Sequence, residues 1–365
     1  MKKAKALLLA VSLVLVLLSP GLVQAQDRLA VLDSSAEAEF PVRLNFTLSA
    51  QSDVNITDIR LHYAINRTSF AQVTSEVYIE FVPSATVDVN WALEMVRIGG
   101  LPPESIVEYW WTVEDASGDK TETIPVQVRF DDTRYTWKSL TEGKVTIRWY
   151  KGNQSFAQEI MTTAQQALVR LAEETGAELE KPVKIYIYAD ARDLQGAMIF
   201  PQEWTGGVAH PKYGIIAIGI SLDNLVWGKT ATVHELTHLV IHQMTFNPYG
   251  NQPRWLDEGL ATYNEGPLKP QSASILENAA ANDTLMTVRT LSSPFSTDTA
   301  QALLAYAQSY SLVEFLISNY GQTKMRALLD TFREGSSYDD ALDRIYGFDM
   351  NGLNTLWRNY ITTPR

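Results

Sequence analysis

The sequence predicts a multidomain chain: an all-β sandwich over residues 27–135, followed by an α+β, largely helical domain over residues 140–362. Three observations predict it. The chain has 365 residues, more than one ordinary core accommodates. Apolar residues alternate with a period of two from about residue 27 to 135. Near residue 140 this pattern gives way to a few short apolar strands and then to helical periodicity that runs to the end. Apolar residues make up 45% of the chain and no low-complexity stretch interrupts it, so both segments have material for a core.

The first segment, "MKKAKALLLAVSLVLVLLSPGLVQAQD", precedes either domain. Lys2, Lys3 and Lys5 form a positive start, and Ala6 to Leu18 is an apolar run short for a bilayer span. Pro20 and Gly21 break the run, and Val23-Gln24-Ala25 places small residues where a signal peptidase cuts. Residues 1–25 are therefore expected to be a cleaved signal peptide. The protein is expected to be exported to an extracellular, cell-surface or periplasmic location. An uncleaved anchor is the rival reading and would be its one link to a membrane. The chain has no cysteine, which excludes disulfides, thiolate metal sites and Cys nucleophiles and suits a bacterial rather than an animal exported protein. Net charge is −12, and no Lys/Arg cluster lies beyond the N-terminus, so nucleic acid is not an expected partner.

In the first domain Val42, Leu44, Phe46 and Leu48 share one strand face. Ile59, Leu61 and Tyr63 form a second run, and Val77, Ile79 and Phe81 a third. Tyr109, Trp111 and Val113 follow, then Ile124, Val126, Val128 and Phe130. Short strands separated by Gly, Pro and Asp turns predict a β-sandwich. The stretch "LPPESIVEYWWTVEDASG" resembles the late strands of fibronectin type III and immunoglobulin-like modules, which implies an architecture and no particular function. His62, between Leu61 and Tyr63, should point away from the apolar face and is read as solvated.

In the second domain "KVTIRWY", "VKIYIY" and "YGIIAIGI" read as strands. Residues 155–175 read as a helix, with Ile160, Ala164, Ala167, Leu168 and Leu171 along one stripe. Beyond residue 255 helices dominate, with Gly321 and Gly347 as stops. The domain boundary is expected within residues 131–140.

Chemistry concentrates in "ATVHELTHLVIHQM", residues 231–244. Residues four apart on a helix lie one turn above each other, so His234 and His238 can aim two imidazoles at one point. Glu235 is rotated by about 100° and can reach a water beside a bound ion rather than the ion itself. A capping box at Thr232 and Glu235, with both histidines on the surface, is the competing structural reading. Val233, Leu239, Val240 and Ile241 argue instead for a well-packed helix whose histidines need partners. His242 stands about 12 Å along the axis from His234, too far to share one ion, and is expected to sit at the helix end near the C-terminal dipole.

The stretch "PRWLDEGLATYNEG" follows. Its Trp-Leu-x-Glu-Gly-x-Ala core resembles the second signature of the gluzincins, zinc peptidases whose third ligand is a Glu on a second helix. The resemblance implies Glu258 as the third ligand to one Zn2+ ion, beside His234 and His238. Asp257 is expected to act from behind the ligands or at the helix start, and Glu265 lies too far along to replace Glu258. The stretch "YAQSYSLVEFLISNYG" is similar to the gluzincin segment in which a Tyr opens a helix, which implies Tyr306 as donor to the oxyanion, with Tyr310 as the fallback. Residues 140–362 as a whole resemble the peptidase MA-like group.

The implied activity is zinc-dependent hydrolysis of a peptide or protein substrate, with Glu235 as general base. Gluzincin aminopeptidases carry a strand whose Glu grips the substrate's free amine. The counterpart here, "TGGVAHPKYGIIAIG", has no acid, which favours endopeptidase action. His210 in this stretch is read as a loop histidine, with a place lining the cleft as the alternative. The contrasting function is an exported binding or scaffold protein whose zinc domain is silent. Neither a Gly-x-Ser-x-Gly elbow nor a Gly-rich phosphate loop is present.

Overall fold

The computed structural model describes residues 28–66, 73–202 and 205–362. The expected signal segment lies outside the described residues. No helix among the described residues is long and apolar enough to cross a membrane.

The N-terminal part is β-rich. Its strands are β1 (Leu29–Glu39), β2 (Arg43–Ile65), β3 (Thr74–Tyr78), β4 (Ser84–Glu94), β5 (Ser105–Asp115), β6 (Lys120–Glu122) and β7 (Val126–Phe130). All seven belong to one hydrogen-bonded sheet rather than two, because β2 serves two sets of neighbours. Its first half pairs with β1 and β4, its second half with β3 and β5, all antiparallel. The register slips between Gln51 and Ile56 on one side and between Ile56 and Asp58 on the other, where the strand changes partners. The strand β1 also lies against β6 and β7, so the sheet doubles over a shared core. Leu44, Phe46 and Leu48 from the first half of β2 meet Ile59, Leu61, Trp111, Val113 and Phe130 there, as period-two patterning demands.

His62 does point away from that core, but it is not solvated. Its ring stacks on Trp110, directly opposite it on β5, at 5.3 Å and 8°. Nε2 lies 2.9 Å from Thr112 Oγ1, and the side chain is only 15% exposed. The cross-strand aromatic covers it, a contact that alternation alone does not reveal.

The second part opens with β8 (Lys138–Glu142) and β9 (Val145–Trp149), then α1 (Gln154–Thr175), β10 (Val183–Tyr188), α2 (Ala191–Gln195), β11 (Gly207–His210) and β12 (Ile215–Gly219). Among the described residues eight helices follow: α3 (Leu225–Met244), α4 (Arg254–Asn264), α5 (Pro270–Ala281), α6 (Val288–Leu291), α7 (Thr299–Tyr320), α8 (Gln322–Arg333), α9 (Tyr338–Tyr346) and α10 (Met350–Thr362). The sheet order is β11-β12-β10-β9-β8, parallel in its centre and antiparallel at both edges. Asn153 caps α1 by accepting from the Phe156 N–H at 3.0 Å, and Gly176 ends it in the left-handed region at φ 69°. Gly321 and Gly347 stand at the ends of α7 and α9.

The two faces of this sheet do different work. Ile147, Ile185, Ile187, Ile216 and Ile218 share the main core with α1 and α3. Tyr186 and Tyr188 point the other way, into an aromatic layer with Tyr135, Trp137 and Tyr150. On that side the N-terminal part is fastened by Glu104, a non-glycine residue at φ 62°. Its carboxylate, 8% exposed, accepts from Lys184, from Tyr186 Oη at 2.6 Å and pairs with Arg148 at 3.1 Å.

Candidate metal centre

The helix α3 is buried on successive residues, Leu236 through Ile241, because the sheet covers one side and α4 the other. Its first turn starts at Leu225, so Thr232 sits in the third turn and its hydroxyl donates to Gly228 O at 2.8 Å. The capping-box reading of Thr232 and Glu235 is thereby excluded. The helix α4 starts after Pro253, which fixes an extended φ of −64°. Trp255, Leu256, Leu260 and Ala261 anchor it in the core and bring Asp257 and Glu258 against α3.

Three donor atoms converge. His234 Nε2 and His238 Nε2 are 3.1 Å apart, and Glu258 Oε2 is 3.3 Å from each. The ring of His234 donates from Nδ1 to Glu265 Oε1 at 2.9 Å, and that of His238 to Asp257 Oδ1 at 3.0 Å. In the neutral rings this leaves both Nε2 lone pairs facing Glu258 Oε2. That oxygen is buried and has no hydrogen-bond partner of proper geometry. Three facing lone pairs repel unless a cation sits among them. Ligands of a tetrahedral zinc at 2.0–2.1 Å stand about 3.3 Å from one another, so the triangle fits such an ion. These three residues together meet the geometric requirement of a metal site.

The electrostatics agree. Burial works against charge on the histidines, and the carboxylates outweigh it: Glu258 and Glu265 push His234 up to about 9, and Asp257 and Glu258 hold His238 well above its ordinary value. Burial would also raise Glu258, yet His238 and His234 hold it well below the usual carboxylate range. The cluster thus attracts positive charge, whether proton or metal ion.

Glu235 belongs to the same helix turn but not to the triangle. Burial raises its carboxyl, against the pull of His234 and His238. It lies against the edge strand β11: a Cβ added at Gly207 would stand 2.8 Å from Glu235 Oε1, and the nearby backbone of Ala209 slightly opposes the rise of its carboxyl. Tyr306 joins from α7, its ring centroid 6.4 Å from that of His234 and 5.3 Å from Phe295. It does not open its helix, which begins seven residues earlier at an Asp298 cap. Tyr310 packs instead on Tyr263 at 5.6 Å.

Other residues fall differently. His242 is in the last turn of α3, 3.4 Å from Asp257 Oδ2, and is no part of the triangle. His210 does not line the cleft. It lies on β11, and with Val208 it faces the crevice between the two parts of the chain, while Gly207 and Ala209 face Glu235. A cavity of about 960 Å3 lies at the far end of α3, bordered by His242, Gln243 and Tyr249, away from the triangle. Sequence reasoning missed Glu265 as the partner of His234 and Arg254, whose Nη2 donates to Glu258 Oε1 at 2.6 Å. The signals were spacings from Glu258: Arg254 is one turn earlier at the start of the same helix, and Glu265 about two turns later, just past its end.

Residues 163–363, more than half of the sequence, match the family model of the Peptidase MA superfamily. The chain belongs to the Peptidase MA superfamily. This Peptidase MA chain is also similar to solved structures. One is an M1 zinc metallopeptidase from Deinococcus radiodurans, 14% identical, with 93% of this chain and 96% of that one covered at a TM-score of 0.34. Another is Legionella pneumophila aminopeptidase A in complex with aspartic acid, 10% identical, with 90% and 50% covered at 0.40. A third is an aminopeptidase N family protein from Idiomarina loihiensis, 10% identical, with 89% and 74% covered at 0.40. No curated protein matches the sequence significantly.

Proposed function

We propose that this chain is an exported zinc-dependent metallopeptidase that hydrolyses internal peptide bonds. The observation that carries the reading is the convergence of His234 Nε2, His238 Nε2 and the unpartnered Glu258 Oε2 at 3.1–3.3 Å, from two helices. His234, His238 and Glu258 would hold one zinc ion, which when bound supplies a Lewis acid that polarises a carbonyl and lowers the pKa of water toward about 7.

The chain's own residues do the rest. Glu235, whose carboxyl burial raises, accepts the proton of the attacking water and returns it to the leaving amine. Tyr306, beside His234, donates its hydroxyl proton in a hydrogen bond to the oxyanion that develops from the carbonyl; loss of such a donor typically costs about 2.7–4 kcal/mol. Asp257 and Glu265 hold the imidazoles in the tautomer that turns Nε2 inward. Among the described residues β11 is the edge strand of its sheet, paired with β12 on its inner side, which suits an extended peptide laid beside Glu235.

Endopeptidase action is supported by residues 205–219, which carry no acidic side chain to hold a free amine. The test is digestion of a peptide library in N-acetylated and free forms, with and without a chelator. Internal cuts in both forms, abolished by the chelator, are expected. Release of single residues from free N-termini alone would overturn the endopeptidase reading. No cleavage by protein containing stoichiometric zinc would overturn the enzyme reading in favour of a binding role.

A further inference from the structure

Glu258 has two carboxylate oxygens in a pocket that leaves its side chain 2% exposed, and their surroundings differ. Oε2 faces both imidazoles with no hydrogen-bond partner. Oε1 accepts from Arg254 Nη2 at 2.6 Å, one turn back on α4. The same guanidinium puts Nη1 3.7 Å from Asp257 Oδ2, on the residue that orients His238. Its Cζ lies 6.0 Å from the Phe295 ring, which meets Tyr306 edge-on. One side chain thus borders a ligand, the support of a second ligand and the platform of the tyrosine.

We propose that Arg254 is a positioning residue of the metal centre: by occupying Glu258 Oε1 it restricts the carboxylate to one-oxygen ligation through Oε2 and keeps the remaining coordination position open. The inference rests on the reading of His234, His238 and Glu258 as zinc ligands. An exposed i,i+4 ion pair contributes little, but here the acidic partner is buried and the bond is short and charge-assisted. The free part of Arg254 reaches solvent, its side chain being 46% exposed, so truncating it removes a hydrogen bond without emptying the core. A carboxylate released at Oε1 is free to swing both oxygens toward the ion or to lose its aim.

The experiment compares wild type with Arg254→Met and Arg254→Lys by zinc affinity in chelator competition and by zinc X-ray absorption. Arg254→Met is expected to weaken zinc binding by about 10–100-fold and to add a second carboxylate oxygen to the absorption spectrum. Arg254→Lys, a single-point donor, should fall between the two. If Arg254→Met binds zinc within about threefold of wild type, below the smallest loss expected of such a support, and its spectrum is unchanged, the proposal is overturned. If Arg254→Met does not fold, Arg254→Lys decides: weakened binding with an altered spectrum supports the role, and wild-type values for both overturn it. Failure of the wild type to bind zinc would instead sink the metallopeptidase reading itself, so the two failures are distinct.

Discussion

Glu258 is buried and Glu235 partly buried at one cleft, and their surroundings push them apart. Two facing imidazoles hold Glu258 well below the usual range, whereas burial wins at Glu235 and raises it. A pair so separated has one member suited to charge and metal ligation and the other to proton transfer. Glu235→Gln should therefore abolish turnover, at least a hundredfold loss for a general base, while zinc content measured by atomic absorption stays at wild-type level. Substantial activity in that variant would remove Glu235 from its role. At this scale the pairing of His234 and His238 is legible because helix periodicity places four-apart residues together, and Glu235, about 100° round the helix from His234, is legible as the neighbour beside that pair. Glu258 needed a family resemblance, since no local rule brings a second helix to the first. Glu265 lies outside the expected ligand set, and nothing in the local sequence announces its bond to His234 Nδ1. Two acids seven residues apart, about two helical turns, can face the Nε2 side of the imidazoles and the far side of His234 respectively.

The elements explain how the second helix is held. A Cβ at Gly259 would stand 2.4 Å from Ser309 O and 2.7 Å from Val313 Cγ2, so α4 and α7 touch through their backbones. That close approach sets the distance between Glu258, next to Gly259 on α4, and Tyr306, one turn before Ser309 on α7. The neighbour is backbone and cannot step aside, so Gly259→Ala should cost about 1–3 kcal/mol of stability by forced overpacking. Turnover should fall further than zinc affinity, because α7 moves and α3 does not. Thermal melting and zinc titration check this, and an unchanged melting temperature would refute the packing argument. The sequence shows Gly after Glu but not why, because the reason sits on a helix 50 residues away. Strand legibility has the same limit. The alternation of Leu44, Phe46 and Leu48 was plain, whereas β1, with the polar run "DSSAEAE", and β4 were not foreseen. Their half-exposed positions carry little apolar signal, and pairing with β2 rather than composition makes them strands.

Across the whole molecule, the junction between the two parts carries two titratable groups with separate acid windows. His210 faces a crevice bounded by Pro41, Pro102 and Phe200, and burial pushes its ring from 6.5 down to about 4. The unfolded chain takes up a proton at His210 as the pH falls below 6.5, while the folded chain does not until about 4. Stability should therefore decline across that window and level off beneath it. Part of the ring surface still meets water, so the loss is smaller than the full shift implies, about 1–2 kcal/mol. Glu104 behaves differently. Burial alone would raise its carboxyl, but Lys184 and Tyr186 hold it below 4.5, so its stabilisation is complete above that value and is lost only as the pH falls through its lowered folded value. Melting temperature measured from pH 8 to pH 3 separates the two. His210→Gln should flatten the curve between about 6.5 and 4 and leave the lower limb intact. Glu104→Gln should lower the melting temperature at neutral pH and remove the lower limb. If neither variant changes the shape of the curve, the acid response belongs to other groups than these two side chains.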